Sequence, residues 1–212
     1  ILSGLFVTIY SQMDKIMIEN FLGDAAVGYY SIGTVIFGYW VLLTNAIINA
    51  VRPSIMRSKL DSEDEYIRRL KQLYAFLAWL CIALALFFTL FGRWLIPFVY
   101  GNEYIPAISS VIITMWYSAF AVIGTARGIW IVCENKNKYV KYYIVIGAIA
   151  NFFLNLIGIQ LLGIEGAAWA TLFTQVIVCL IAPLFFKETR IHSKYVIEAF
   201  LLKGIRGSEK HV

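Results

Sequence analysis

Long uncharged stretches alternate with short charged ones along the chain. Ala25 to Val51, Leu73 to Phe91, Tyr104 to Ala126, Tyr142 to Ile164 and Gly166 to Phe186 contain no Asp, Glu, Lys or Arg. A helix needs about 20 apolar residues to cross hydrocarbon, so these runs predict five spanning helices. Ile1 to Leu22 is interrupted by Asp14 and Lys15, yet it must also cross if the alternation of flanking charge is to close. The pattern therefore predicts an all-α polytopic membrane protein with six transmembrane helices, at about 1–22, 25–51, 70–91, 104–132, 139–162 and 164–186. Gly92, Pro97, Gly101 and Pro106 cluster between the third and fourth helices, and Gly163 and Gly166 bracket a tight connection between the last two, which gives three helical hairpins. In the basic tail, 187–212, the stretch from Ile191 to Ile205 mixes apolar positions with Lys194, Glu198 and Lys203. That pattern suits a helix lying in the headgroup layer, too short and too charged to span.

Charge assigns the sides. The stretch from Arg52 to Lys71 carries six basic residues, the loop at Lys136, Lys138 and Lys141 three, and the tail six, so fifteen of the 18 Lys and Arg fall in alternate connections. Those connections, the tail included, are expected in the cytoplasm. The others hold Glu19, Asp24, Glu103 and Glu165 with one basic residue, Arg93, and are expected outside. Composition agrees: of 212 residues 60% are apolar and 15% charged, against about half and a quarter in soluble domains. A disordered chain and an ordinary cytosolic enzyme are both poor fits. The net charge of +5 is explained by topology, so no nucleic-acid partner is expected. Ile1 follows no basic leader, so no signal peptide is visible, and the sequence reads as a piece of a longer chain.

Motifs of chemistry are sparse. No GxxxxGK[ST] phosphate loop, GxSxG elbow or HExxH helix occurs, and the only histidines, His192 and His211, lie in the tail. Cys81, Cys133 and Cys179 show no zinc or disulfide spacing and read as small apolar fillers. No catalytic residue, metal site or cofactor is expected, and the chain is read as not an enzyme. A membrane glycan ligase or acyltransferase remains an alternative, because such enzymes can rely on isolated Asp, Arg or His at the lipid surface.

The informative residues are polar groups inside apolar runs. Gly4, Thr8, Ser11, Gln12, Lys15 and Glu19 recur three or four apart along one stripe of the first helix, with Asp14 beside it. Two readings of Asp14 and Lys15 stand: they neutralise local partners, or they line a transport pathway. Arg127, about 9 Å from the inner end of the fourth helix, either snorkels to the headgroups or forms the wall of a cavity for an anionic headgroup. Asp14 and Arg127 differ in depth by about 12 Å, too far for an ion pair. Thr34, Gly38, Asn45, Asn49 and Arg52 form a stripe on the second helix, and Gly147, Asn151, Asn155 and Gly158 one on the fifth. Both read first as packing seams and second as pathway groups, and Gly166, Ala167, Ala170, Thr171 and Thr174 make a comparable small-residue seam on the sixth helix. Trp94, Tyr100, Tyr104, Trp130 and Tyr139 read as interfacial belts.

The strings YSQMDKIMIENFLGDAAVGYYS (Tyr10 to Ser31), YGNEYIPA (Tyr100 to Ala107) and NFFLNLIGIQLLGIEGAAWATLFTQ (Asn151 to Gln175), with Pro53 after the second helix, resemble the C-terminal lobe of Wzx-type bacterial polysaccharide flippases. The resemblance runs to Phe186, with Gln160 standing where such proteins often have Pro. These belong to the multidrug, oligosaccharide-lipid and polysaccharide exporter superfamily, built as two six-helix lobes around a cavity. The resemblance implies one lobe of a two-lobe exporter in the bacterial cytoplasmic membrane, moving an undecaprenyl-pyrophosphate-linked oligosaccharide to the outer leaflet by alternating access. It implies as partners the bilayer, the lipid-linked oligosaccharide, an N-terminal lobe or second copy, and glycan polymerases or ligases. Asp14 carries over as a functional position, proton- or sodium-linked, with Lys15 as a cavity charge. Exporters of drugs or metabolites in the same superfamily, and a scaffold for glycan assembly, are the other readings.

Overall fold

The computed structural model describes the backbone of residues 2–204 and the side chains from Gln12 to Gly204. Among these residues all regular structure is helical. α1 (Leu2–Leu22) precedes two helices of 38 residues each, α2 (Asp24–Asp61) and α3 (Glu63–Tyr100). A 3-10 turn, Asn102–Ala107, leads into α4 (Ile108–Cys133), and another, Asn137–Tyr139, into α5 (Val140–Val176). A short α6 (Arg190–Phe200) follows. Four stretches are long and apolar enough to cross a membrane: Asp24–Asp61, Glu63–Tyr100, Asn102–Cys133 and Asn137–Phe185.

The α2–α3 junction corrects the expected boundaries. At 1.5 Å per residue each helix is about 57 Å long, nearly twice the thickness of a hydrocarbon core. The charged stretch from Arg52 to Lys71, expected as a connection, is the helical continuation of both, interrupted only at Ser62. Its chemistry explains this. The hydroxyl oxygen of extended Ser62 accepts from the Glu65 N–H, acidic Glu63, Asp64 and Glu65 occupy the first turn of α3, and Lys59 sits in the last turn of α2. Likewise Gly92 and Pro97 lie inside α3, not in a connection, and the helix stops only where Gly101 takes a φ of 102°. α4 begins at Ile108, four residues later than expected, because Asn102–Ala107 is wound as 3-10 turns.

α5 reverses at Gly163 (φ 60°, ψ −137°). A Cβ on Gly158 would stand 2.7 Å from the carbonyl oxygen of Gly166, so the two backbones are in contact. In a continuous helix residues eight apart are separated by about 12 Å. The chain therefore folds back into two arms, 140–162 and 164–176, and no side chain larger than hydrogen fits where they touch.

α4 is the central element, packed against α2, α3 and α5, with Tyr74, Leu77, Cys81, Ile123 and Trp130 in the largest apolar core. The α2–α4 approach depends on Gly33, where a Cβ would meet Thr114 Oγ1 at 3.0 Å. Cys81 and Cys179 are buried and Cys133 half-buried, all unpaired. After Val176 the second arm loosens into a π-helical turn, Ile177–Ile181, and a 3-10 turn, Ala182–Phe185. α6 then folds back onto α3, burying His192, Ser193, Val196 and Ala199 and exposing Ile191 and Ile197. This return corrects two expected belt residues. Trp130 is buried against His192 and Tyr139 against Phe186, whereas Trp94 remains 74% exposed.

Candidate functional site

Asp14 ties four segments together. Its carboxylate accepts from Tyr30 Oη of α2 at 2.8 Å, from Asn155 Nδ2 of the first arm of α5 at 2.7 Å, and from Thr171 Oγ1 of the second arm at 2.7 Å. All three donors are neutral, and no ion pair involves Asp14 among the described residues. A half-buried carboxylate without a cation is costly, and these hydrogen bonds offset only part of its lost hydration. Asn155 Oδ1, and Asn151 Oδ1 one turn along the same helix face, are buried without partners. The cluster thus offers a carboxylate, the amide oxygen of Asn155 and hydroxyls, hard oxygen donors of the kind that hold a proton or a small monovalent cation. Expected separately, Asp14 as a pathway group, Asn155 first as a seam residue and Thr171 as a seam residue, these three are joined by hydrogen bonds, and Asn151 lies one turn from Asn155 on the same helix face.

Lys15 is half-buried and unpaired among the described residues, and Gln12 is exposed. Gly4, Thr8 and Ser11 of their stripe lie outside the residues whose side chains are described. His211 lies outside the described residues altogether.

Arg127 is buried, with 6% exposure, and does not snorkel freely. Its Nη1 donates to the Val178 carbonyl at 2.8 Å, and its guanidinium stacks on the Tyr143 ring at 4.4 Å. The reason lies in the π turn. There the Ala182 N–H reaches back five residues to Ile177, so the partner of the Val178 carbonyl would be the N–H of residue 183. Residue 183 is Pro and has none. Arg127 supplies the missing donor. Ser193 Oγ donates to Leu180 O at 2.7 Å and Thr189 Oγ1 to Pro183 O at 2.8 Å, completing the segment's satisfaction from α6 and its approach.

The other side of Arg127 faces a cavity of about 600 Å³ between α2, α4 and α5. Its polar lining is Arg52, Thr125, Arg127, Asn137, Tyr143 and Gln175, with no Asp or Glu. Such a wall attracts an anion and can hydrogen-bond hydroxyl groups. Tyr143 stands one i−4 step before Gly147 on the stripe that runs through Asn151 to Asn155, so the periodicity could have pointed to it. Tyr30 and Gln175 carried no comparable signal, because only the fold brings them to the site.

The α2 stripe does not pack as a seam. Asn45 and Thr34 are half-buried, while Gly38, Asn49 and Arg52 are exposed. The buried face of α2, through Gly33, Thr44, Ile48 and Ile55, lies about 100° round the helix from the Asn positions. Asn45 and Asn49 therefore lie off the buried face of α2.

Two ionisable groups beyond the spanning segments are held by their surroundings. Hydrogen bonds from Lys136, then Tyr139 and Lys138, hold the Glu188 carboxyl down at about 2. Burial, reinforced by the positive charge of Arg127, pushes His192 well below its usual 6.5, and Tyr74 Oη lies 3.1 Å from its Nε2. Among the described residues no group of three or more His, Cys, Asp or Glu is arranged to hold a metal.

A family model described as a polysaccharide biosynthesis protein matches residues 1–109, which include Gln12, Asp14, Lys15, Asn45 and Asn49 but not Arg127, Asn151 or Asn155. No curated protein and no solved structure matches the chain.

Proposed function

The chain belongs to the polysaccharide biosynthesis protein family, and from that premise we propose that it forms one lobe of a flippase for an undecaprenyl-pyrophosphate-linked oligosaccharide. Residues 1–22 and the two arms of α5 count as separate crossings in this reading, giving six, in the bacterial cytoplasmic membrane with the α2–α3 junction and tail in the cytoplasm. The observation that carries it is the cavity with two guanidiniums and no carboxylate. A pyrophosphate cannot enter hydrocarbon unaided, and Arg127 and Arg52 lower its transfer cost while Asn137, Gln175 and Thr125 suit sugar hydroxyls. The lipid chain stays in the bilayer.

The exposed Gln12 and Asn49 would be poorly solvated against acyl chains. They support a second lobe, or a second copy, facing α1 and α2 across an aqueous space, with alternating access by rocking of the lobes. Asp14 would supply the coupling. When a proton or monovalent cation neutralises it, the bonds that join α1, α2 and both arms of α5 change together. Lys15 is then a charge near the pathway, and Asn151 and Asn155 belong to the ion site.

The test is to reconstitute the complete protein and follow leaflet transfer of a fluorescent lipid-linked oligosaccharide. Arg127→Gln is expected to slow transfer and to weaken competition by undecaprenyl pyrophosphate. An Asp14→Asn variant that transferred at the parental rate would remove the coupling role. Parental protein that bound glycan enzymes but moved no lipid would favour the scaffold.

A further inference from the structure

We propose a binding site for one diacyl phospholipid with a net negative headgroup on the outer face of α3, at the level of the α2–α3 junction. Lys71 and Arg93 bracket an uncharged stretch of α3 about 30 Å long, so Lys71 marks one edge of the hydrocarbon core. Arg52 marks the same edge on α2.

A groove of about 540 Å³ between the two helices straddles that edge. Its floor, with Ile47 and Phe76 each about 7 Å inside the edge, is apolar. Its rim, just outside the edge, carries Ser54, Glu65, Arg68 and Arg69. One carboxylate there faces two guanidiniums, which leaves a positive charge at phosphate depth. Arg69 is held toward the groove by its bonds to Glu65 and to Ser54 Oγ at 2.7 Å, and the buried Nε of Arg68 has no partner among the described residues.

A second, apolar cavity of about 440 Å³ lies on the other flank of the same helix, between Trp79, Leu80 and Leu202. It shares Gln72 and Phe76 with the first. Phe76 is thus a ridge, 54% exposed, between two apolar slots, the first of which opens at the cationic rim. A free phosphate or a single-chain amphiphile would use half of this arrangement. A phospholipid whose phosphate meets Arg68 and Arg69 and whose two chains pass on either side of Phe76 uses all of it. This site is separate from the cavity at Arg127 and does not depend on which side of the membrane faces the cytoplasm.

The experiment is native mass spectrometry of the full-length protein in detergent, titrated with dioleoyl phosphatidylglycerol or dioleoyl phosphatidylcholine, with inorganic phosphate as competitor. One excess guanidinium predicts about fivefold tighter retention of phosphatidylglycerol. Arg68→Gln with Arg69→Gln should abolish that preference, and Arg57→Gln, an exposed cation outside both cavities, should leave it intact. Val51→Trp, which fills the first slot, should weaken both lipids without altering the rim. Equal retention of the two lipids by the parental protein, an unchanged preference in the double variant, or displacement of the lipid by inorganic phosphate would each overturn the proposal.

Discussion

At the scale of the residue, the protein turns on where single polar groups find partners. Asp14 meets three neutral donors and no cation, so Asp14→Asn removes a poorly compensated charge as well as charge-assisted hydrogen bonds. These effects oppose, and stability should change by no more than about 1 to 2 kcal/mol. If Asp14 couples ion binding to lobe movement, lipid transfer should fall about tenfold or more, the size of a typical coupling energy. Thermal melting and the leaflet assay on the same preparation check both. His192 gives a second prediction. Its folded-state pKa is depressed, so the folded protein holds fewer protons than the unfolded chain, and the stability it contributes is present above about 6.5 and lost as pH falls below that value. Amide exchange in α6 should accelerate below about pH 6.5, and His192→Gln should flatten the profile. Glu188 follows the same sign at lower pH: its stabilisation of the approach to α6 is present above the ordinary 4.5 and lost toward about 2.

At the scale of the element, the end of the last long helix shows how a local defect recruits distant side chains. Pro183 and the π turn leave the Val178 carbonyl without a donor, and Arg127 on α4 provides it. Arg127→Met should therefore cost about 1 to 3 kcal/mol, the penalty of an unsatisfied buried carbonyl together with lost stacking on Tyr143. Pro183→Ala restores a backbone N–H, so in that background the same substitution should cost measurably less. Melting of the four proteins in the double-mutant cycle reads the coupling, and additive costs would show that the guanidinium is not compensating for the proline.

At the scale of the whole molecule, exposed polarity is unevenly distributed among the helices. Gln12 of α1 and Asn49 and Arg52 of α2 are exposed, whereas the exposed surface of α3 carries Phe87, Leu90 and Trp94. In the complete protein, Asn49→Cys should react rapidly with a water-soluble maleimide and Phe87→Cys should not. Two of the native cysteines are buried, which keeps the background low. Equal protection at both positions would mean that the α2 stripe is covered by protein or lipid.

Much of this was readable in the chain. Uncharged runs located the helices because each must be long enough to cross hydrocarbon, and Gly163 marked the reversal because its positive φ suits a residue without a side chain. The polar stripes were equally visible. Their destinations were not: Asn155 turned to Asp14, Asn49 turned outward, and the difference rests on which face of each helix the neighbouring helices cover. Trp130 and Tyr139 had the signature of belt residues and became core because α6 returns over Trp130 and Phe186 packs on Tyr139. Helical ends were misplaced at the α2–α3 junction, where charge was read as a loop although Ser62 and three acidic residues start a helix there.

Residue type and spacing by themselves determined that this protein is helical, apolar and interrupted by a few expensive polar groups, because hydrocarbon length and hydration cost act on each segment independently. Only the tertiary structure decided that Tyr30, Asn155 and Thr171 meet at Asp14 and that Arg127 serves both a broken helix and a cavity. Those facts depend on the rotation and crossing of helices distant in sequence, which side-chain packing sets and local pattern does not encode.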